Sequence, residues 1–97
     1  MNESLVVVVS ITSKPDSIAT VQEALLAIMA PTRAESGCMR YDLYTNNKLA
    51  GGFTIIGEFV DLAAIELHDS APYLKGLIKT ISGLADIQVA RLSELND

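Results

Sequence analysis

Hydrophobic residues recur along the chain with two periods, one typical of strands and one typical of helices. Leu5–Ile11 is dense in β-branched residues and shows no polar alternation, which predicts a strand covered on both faces. Cys38–Thr45, Phe53–Val60 and Ile87–Leu95 alternate with a period of two, which predicts three more strands. The turn-rich residues 46–52 lie between two of these segments and predict a hairpin.

Helical spacing occurs between the predicted strands. The apolar positions of a first helix share one face: Ile18, Val21, Leu25, Ile28 and Met29. Pro31 is expected to end or kink this helix, because proline has no N–H and its ring clashes with the preceding turn. Asp61 is the expected N-cap of a short helix over residues 62–68. A further helix is expected from Pro72 until Gly83 stops it.

The predicted order of elements is β-α-β-β-α-β, which is the order of the ferredoxin-like fold. We therefore expect one α+β domain over residues 1–97, with helices on one face of a four-stranded antiparallel sheet. The other face would be open, yet the first strand is apolar on both faces. This pattern predicts a homodimer in which two chains pack through their open sheet faces, so that each subunit keeps a pocket between its sheet and its helices.

Composition excludes several classes of protein. The 97 residues are 49% hydrophobic and 20% charged, which fits one compact domain and not a disordered chain. The formal net charge is −5 and no segment concentrates Lys or Arg, so a nucleic acid partner is not expected. Cys38 and His68 have no second Cys or His nearby, so no metal centre is predicted.

The first residues argue against a targeting or membrane segment. MNESLVVVVS has an acidic residue where a signal peptide is basic, and its apolar run is too short for a signal peptide or a membrane span. A single cysteine allows no internal disulfide. We therefore expect a cytoplasmic protein without a membrane partner.

Three segments of the chain resemble the antibiotic biosynthesis monooxygenase family. Residues 35–41 (ESGCMRY) match the family's acid-x-Gly-Cys-x-x-Tyr turn into the second strand. Residues 57–68 (GEFVDLAAIELH) match its strand ending in Glu-x-Trp, followed by Asp, an Ala-rich helix and a closing His. Residues 68–72 match its His-x-x-x-Pro spacing. The chain has Phe59 where Trp is usual and Tyr73 where many members have His, and the lack of any Trp argues against the haem-degrading branch.

The resemblance implies a small dimeric α+β barrel that acts with O₂ and needs no metal or flavin cofactor. In such an enzyme a quinol-like or enolisable aromatic substrate reduces O₂ itself once a base removes its proton. The protein supplies the base, a dry pocket and orientation. Two alternatives remain open: an isomerase of a small phosphorylated keto compound of the autoinducer-breakdown type, and a non-catalytic dimer that binds a small apolar ligand.

His68 and Glu58 are the predicted catalytic residues. Histidine titrates near neutral pH and His68 is the only one, which favours it as the base; a lone histidine at a helix end can also be a cap or a surface residue. Glu58 is expected to share a strand face with Ile56, where it could orient His68 or accept a proton itself. It could equally form an ion pair with Arg40 or Arg91 across the sheet.

The predicted substrate-binding residues are Tyr41, Tyr73, Met39 and Ile56. Met39 and Tyr41 are expected to share one strand face with Leu43. The Tyr41 hydroxyl could contact a substrate oxygen or be a satisfied core group. Tyr73, in the first turn of the last helix, could line the pocket or pack on the surface.

Overall fold

The computed structural model describes residues 4–96 and contains, within them, four strands and four helices. In chain order these are β1 (Leu5–Ser13), α1 (Ile18–Ala27), α2 (Met29–Arg33), β2 (Cys38–Thr45), β3 (Gly52–Phe59), α3 (Leu62–Asp69), α4 (Pro72–Ile81) and β4 (Ala85–Ser93). Strands β2 and β3 form the expected hairpin, and Gly51 has a positive φ of 84° in its turn. None of the helices in this part of the chain is long and apolar enough to cross a membrane.

The four strands form one antiparallel sheet in the order β2-β3-β1-β4. The helices cover one face of this sheet. The core between the two layers combines Ile11, Ile55 and Phe59 from the strands with Leu25 and Ile81 from the helices. This arrangement confirms the predicted α+β, ferredoxin-like fold.

The first predicted helix is interrupted at Ile28. Helix α1 ends at Ala27 and α2 begins at Met29. Pro31 has no N–H to donate to the carbonyl of Ala27, so the regular pattern of hydrogen bonds is lost there. The apolar stripe nevertheless continues across the break, since Leu25, Ile28 and Met29 are all buried.

A β-bulge in β2 changes which residues face the helices. The pairing with β3 shifts between Cys38 and Arg40, so Met39 is the extra residue of the bulge. Beyond the bulge Tyr41 is 4% exposed, whereas Met39 is 54% exposed. The prediction that Met39 shares a face with Tyr41 and Leu43 is therefore wrong at Met39, because one inserted residue shifts the alternation of a strand by one position.

Candidate functional site

A cavity of about 140 Å³ lies between the sheet and the helices. All four strands and the helices α1, α3 and α4 contribute to its walls, which are mostly aliphatic or aromatic. Among the lining residues that the structure describes, four carry polar side chains: Tyr41, His68, Asp69 and Arg91. Such a cavity takes up apolar ligands and orients them through its few polar groups.

His68 lies in the last turn of α3 and lines this cavity. The helix begins at the expected N-cap, where the Asp61 carboxylate accepts a hydrogen bond of 2.9 Å from the Ala64 N–H. The His68 ring packs against Tyr41 and Phe59, with ring centroids 5.3 and 5.1 Å away. Because His68 is only 6% exposed, it is a buried residue and not a surface one.

A carboxylate holds one nitrogen of the His68 ring. Its Nδ1 lies 3.0 Å from Oε2 of Glu35, which belongs to the turn between α2 and β2. A carboxylate only accepts hydrogen bonds, so Nδ1 carries the proton and donates it to Glu35. In the neutral ring Nε2 then keeps its lone pair and can accept a proton.

Glu35 reaches His68 because its turn packs directly against α3. A β-carbon on Gly37 would collide with the β-carbon of Ala64, so only glycine allows this close approach. The Gly37 carbonyl also accepts a hydrogen bond of 2.9 Å from the Val60 N–H. The turn is thereby held against both the end of the hairpin and the following helix.

The Tyr41 hydroxyl lies beside the other ring nitrogen, 3.4 Å from Nε2 of His68. Burial raises the pKa of this hydroxyl well above its ordinary value, and the acidic groups of Cys38, Glu35 and Asp69 add to the effect. The hydroxyl therefore stays protonated over the working pH range. It can donate to Nε2 or to an oxygen of a ligand in the cavity.

Asp69 and Arg91 form an ion pair at the mouth of the cavity. Arg91 Nη2 lies 2.7 Å from Asp69 Oδ2, and the two side chains are 52% and 47% exposed. Two apolar lining residues, Ile78 of α4 and Val89 of β4, are exposed as well. The cavity therefore opens to solvent between β4 and the helices α3 and α4.

Glu58 and Ile56 lie on the face of the sheet opposite to His68. The residues of β3 that line the cavity, such as Phe59, occupy the alternate positions of the strand. The Glu58 carboxylate instead accepts a hydrogen bond of 2.7 Å from the Ser4 hydroxyl. The predicted partnership of Glu58 with His68 is therefore wrong, because alternate residues of a strand point to opposite faces. Arg91, one of the two arginines that could have formed an ion pair with Glu58, instead pairs with Asp69 at the cavity mouth.

The predicted substrate-binding residues divide into two groups. Tyr41 lines the cavity, whereas Met39 and Ile56 are absent from its described lining. Tyr73 is half-buried, and its ring centroid lies 6.3 Å from that of His68. Its hydroxyl is buried without a hydrogen-bond partner among residues 4–96. The structure thus brings the two tyrosines to the histidine and leaves the other two residues elsewhere.

Other reactive groups do not extend the site. Burial raises the pKa of the Cys38 thiol, which disfavours the thiolate that a nucleophile needs. In the described part of the chain, no three His, Cys, Asp or Glu side chains are placed to hold a metal ion together. The polar groups that the described lining offers are the His68 ring, which Glu35 orients from behind, the Tyr41 hydroxyl and the Asp69–Arg91 ion pair.

Sequence reasoning missed Glu35 and the ion pair of Asp69 with Arg91. For Glu35 the available signal is its place as the acid of the acid-x-Gly-Cys segment in residues 35–41. For Arg91 the signal is its parity, since it shares a strand face with Val89. The alternation of β4 indicates which residues share a face, but it does not indicate that this face borders the cavity.

The fold and the site define a small α+β protein with a histidine-carboxylate pair in an apolar cavity. The sequence profile of the antibiotic biosynthesis monooxygenase family matches residues 4–80. The chain therefore belongs to this family.

Solved structures extend the similarity to nearly the whole chain. PA3566 from Pseudomonas aeruginosa is 28% identical with a TM-score of 0.92, over 99% of this chain and 98% of that one. Rv0793 from Mycobacterium tuberculosis is 25% identical with a TM-score of 0.91, over 97% of each chain. By sequence alone Rv0793, itself a candidate monooxygenase, is 29% identical over 73 residues, which is 75% of this chain and 71% of the relative. The family assignment thus rests on sequence and on the fold.

Proposed function

We propose that the protein is a cofactor-independent monooxygenase that oxidises a quinol-like or enolisable aromatic compound with O₂, with His68 as the base. The observation that carries this proposal is the buried His68 ring in an apolar cavity, with its Nδ1 held 3.0 Å from the Glu35 carboxylate. Membership of the monooxygenase family supports O₂ as the oxidant.

The proposed reaction begins with the removal of a phenolic or enolic proton. His68 Nε2 accepts this proton, and Glu35 stabilises the imidazolium that forms. The resulting anion is electron-rich and transfers electrons to O₂. One oxygen atom replaces the hydrogen of a ring carbon and the other leaves as water, so that a phenol becomes a quinone and a quinol becomes a hydroxyquinone.

Tyr41 supplies a hydrogen-bond donor beside the base. Because burial keeps its hydroxyl protonated, Tyr41 can stabilise the substrate oxyanion next to His68 Nε2. The apolar walls keep water away from this group, which strengthens the hydrogen bond and protects the reactive anion. In this proposal Tyr73 packs beside His68 and has no chemical role.

The character of the cavity favours an aromatic substrate over a phosphorylated keto compound. Burying hydroxyl groups without hydrogen-bond partners costs free energy, and only four of the described lining side chains are polar. An aromatic ring instead removes its surface from water against aliphatic side chains such as Ile55 and Leu77. The buried pair of Glu35 and His68 is the feature that favours proton transfer over ligand binding alone.

We also propose that two chains pack through their open sheet faces. Val8, Ile56 and Ala90 are cross-strand neighbours on the face without helices and form an apolar row there. Leu92 on the same face is 48% exposed. A chain of this length has a thin core, and a contiguous apolar face is typical of a subunit contact. Glu58 would then lie in the interface between subunits.

Oxygen consumption tests the proposed activity. The purified protein is incubated with a panel of quinols and phenols, menadiol among them, and O₂ uptake and quinone absorbance are followed against autoxidation without protein. We expect uptake above autoxidation that falls by about a hundredfold or more in His68→Ala, because general bases contribute factors of this size. Leu67→Ala, at a 71% exposed position on the same helix, is the matched control and should keep full activity.

Two results would contradict the proposal. One is uptake no greater than autoxidation across the panel, and the other is full activity in the His68→Ala variant. Anaerobic incubation separates the isomerase from the monooxygenase, since an isomerase keeps its turnover without O₂.

A further inference from the structure

The cavity has a single cationic side chain of Lys or Arg type among its described lining residues, and this is Arg91. Its place follows from the register of β4: Arg91 pairs with Val7 and Val89 pairs with Val9 of the central strand. All four of these side chains line the cavity, so they project from the same face of the sheet. The two residues of β4 in this row are exposed, Arg91 by 52% of its side chain and Val89 by 58%, so β4 borders the opening of the cavity.

The Arg91 guanidinium retains hydrogen-bonding capacity towards a ligand. Its Nη2 donates to Asp69 Oδ2 at 2.7 Å, which is the bond that the structure gives it within residues 4–96. A guanidinium has five N–H donors in a planar fork, so donors on the other nitrogens remain for a second acceptor. The pair with Asp69 holds the fork at the mouth of the cavity and limits its rotation.

We propose that Arg91 binds the carboxylate of an aromatic acid whose ring lies in the cavity, so that the preferred substrates are hydroxylated aromatic carboxylates. The hydroxylated ring as the reacting group rests on the proposed function, whereas the carboxylate contact rests only on the position of Arg91 at the cavity mouth. A carboxylate and a guanidinium match in shape and can form two parallel charge-assisted hydrogen bonds. The aliphatic walls then bury the ring, and its hydroxyl can reach the Tyr41 and His68 side of the same cavity.

The negative charge of the whole chain makes a local cation necessary for binding an anion. The formal net charge is −5, so the protein as a whole repels anions, and any preference for them must come from a local cation. Asp69 lies next to His68 in the chain, which places the ion pair close to the proposed base. A substrate held by its carboxylate at Arg91 would therefore have one anchored end and one reacting end.

Binding of a matched ligand pair tests the inference without requiring turnover. The probes are a hydroxynaphthoate and the naphthol that lacks its carboxylate, titrated under nitrogen and followed by NMR chemical shifts and calorimetry. We expect the unmodified protein to bind the naphthoate about tenfold more tightly than the naphthol, as one charge-assisted contact at a half-exposed site provides. High salt should weaken binding of the naphthoate and leave binding of the naphthol unchanged.

Substitutions assign the preference to Arg91. In Arg91→Gln the two ligands should bind within about twofold of each other, while Arg91→Lys should keep part of the preference as a point charge without the fork. Lys79→Gln removes the same charge from the exposed side of α4 and should keep the full tenfold difference. Thermal melts establish that each variant is folded.

The outcomes separate this inference from the proposed function. Equal binding of the two ligands by the unmodified protein, no binding of either, or a preference that survives Arg91→Gln would overturn the role of Arg91. A preference that depends on Arg91, in a protein that consumes no O₂ with any quinol or phenol, would support the anion site and reject the monooxygenase.

Discussion

Glu35 and His68 are 33 residues apart in the chain, yet in the fold Oε2 of the glutamate lies 3.0 Å from Nδ1 of the histidine. Both side chains are shielded from water, with 21% and 8% of their surface exposed. A histidine held by a carboxylate in this way has a fixed ring orientation and tautomer, and its other nitrogen is the one available for proton transfer. The contact therefore makes Glu35 the positioning residue for the proposed base.

Exchange of Glu35 for glutamine tests this role. The Glu35→Gln side chain has the same size, but its amide can donate to Nδ1 and so favour the tautomer in which Nε2 carries the proton. We expect kcat for O₂ uptake to fall by about a hundredfold with little change in KM, as a base loses activity in the wrong tautomer. Long-range nitrogen NMR of His68 should show the tautomer shifting with the loss of activity.

The control for this exchange is Glu66→Gln, at an exposed position on the same helix as His68. It should leave both kcat and the His68 tautomer unchanged. If Glu35→Gln left both the His68 tautomer and kcat unchanged, Glu35 would not position the base.

Stability at alkaline pH reports on the buried Tyr41 hydroxyl. Because its pKa is raised, the folded protein keeps this proton at pH values where the unfolded chain, with a tyrosine pKa of about 10, has lost it. The contribution to stability is complete below about pH 10 and is lost as the pH rises further, since the unfolded state then binds fewer protons than the folded state. Urea unfolding between about pH 10 and pH 12 should therefore show a steeper loss in the unmodified protein than in Tyr41→Phe.

A second tyrosine exchange provides the control for that measurement. Tyr44 is 44% exposed, so Tyr44→Phe should retain the slope of the unmodified protein. If Tyr41→Phe and the unmodified protein lost stability with the same slope, the Tyr41 proton would not be linked to folding.

The element order could be predicted because it depends on local patterns. The β-branched residues 5–11 and the apolar stripe of α1 are visible without knowledge of any partner strand. The bulge at Met39 could not be predicted in this way, because it depends on how β2 pairs with β3. Parity also assigned Ile56 and Glu58 correctly to one shared face, but it does not determine which face the helices cover.

The candidate site could be predicted only in part for a similar reason. His68 is the single histidine of the chain, so its residue type alone identified it. Its partner Glu35 comes from a distant turn whose approach depends on Gly37 against Ala64, a tertiary contact without a local pattern. The role of Arg91 likewise depends on the cavity beside β4, which its neighbours in the sequence do not indicate.

Gly37→Ala should disturb both stability and activity through that contact. The added methyl group would overlap with the Ala64 side chain, and overpacking of this kind costs about 1–3 kcal/mol. We expect a lower urea midpoint together with a lower rate of O₂ uptake, since the turn that carries Glu35 must move away from α3. Ala64→Gly in the same chain removes the overlap and should restore part of both. If Gly37→Ala had the midpoint of the unmodified protein, the close approach of turn and helix would be wrong.

Ile56→Asp tests whether the open sheet face joins two subunits. Ile56 and Val8 are cross-strand partners in the apolar row, and a buried aspartate there would be desolvated against the second subunit. By light scattering coupled to gel filtration we expect the unmodified protein at twice its chain mass of 10.4 kDa and Ile56→Asp at the mass of one chain. Leu67→Asp adds the same charge at a 71% exposed position on α3, away from the sheet, and should remain a dimer. Should the unmodified protein already run as a single chain at micromolar concentration, the apolar row would not be a subunit contact, and Glu58 with Ser4 would form a polar group on a solvent-facing sheet.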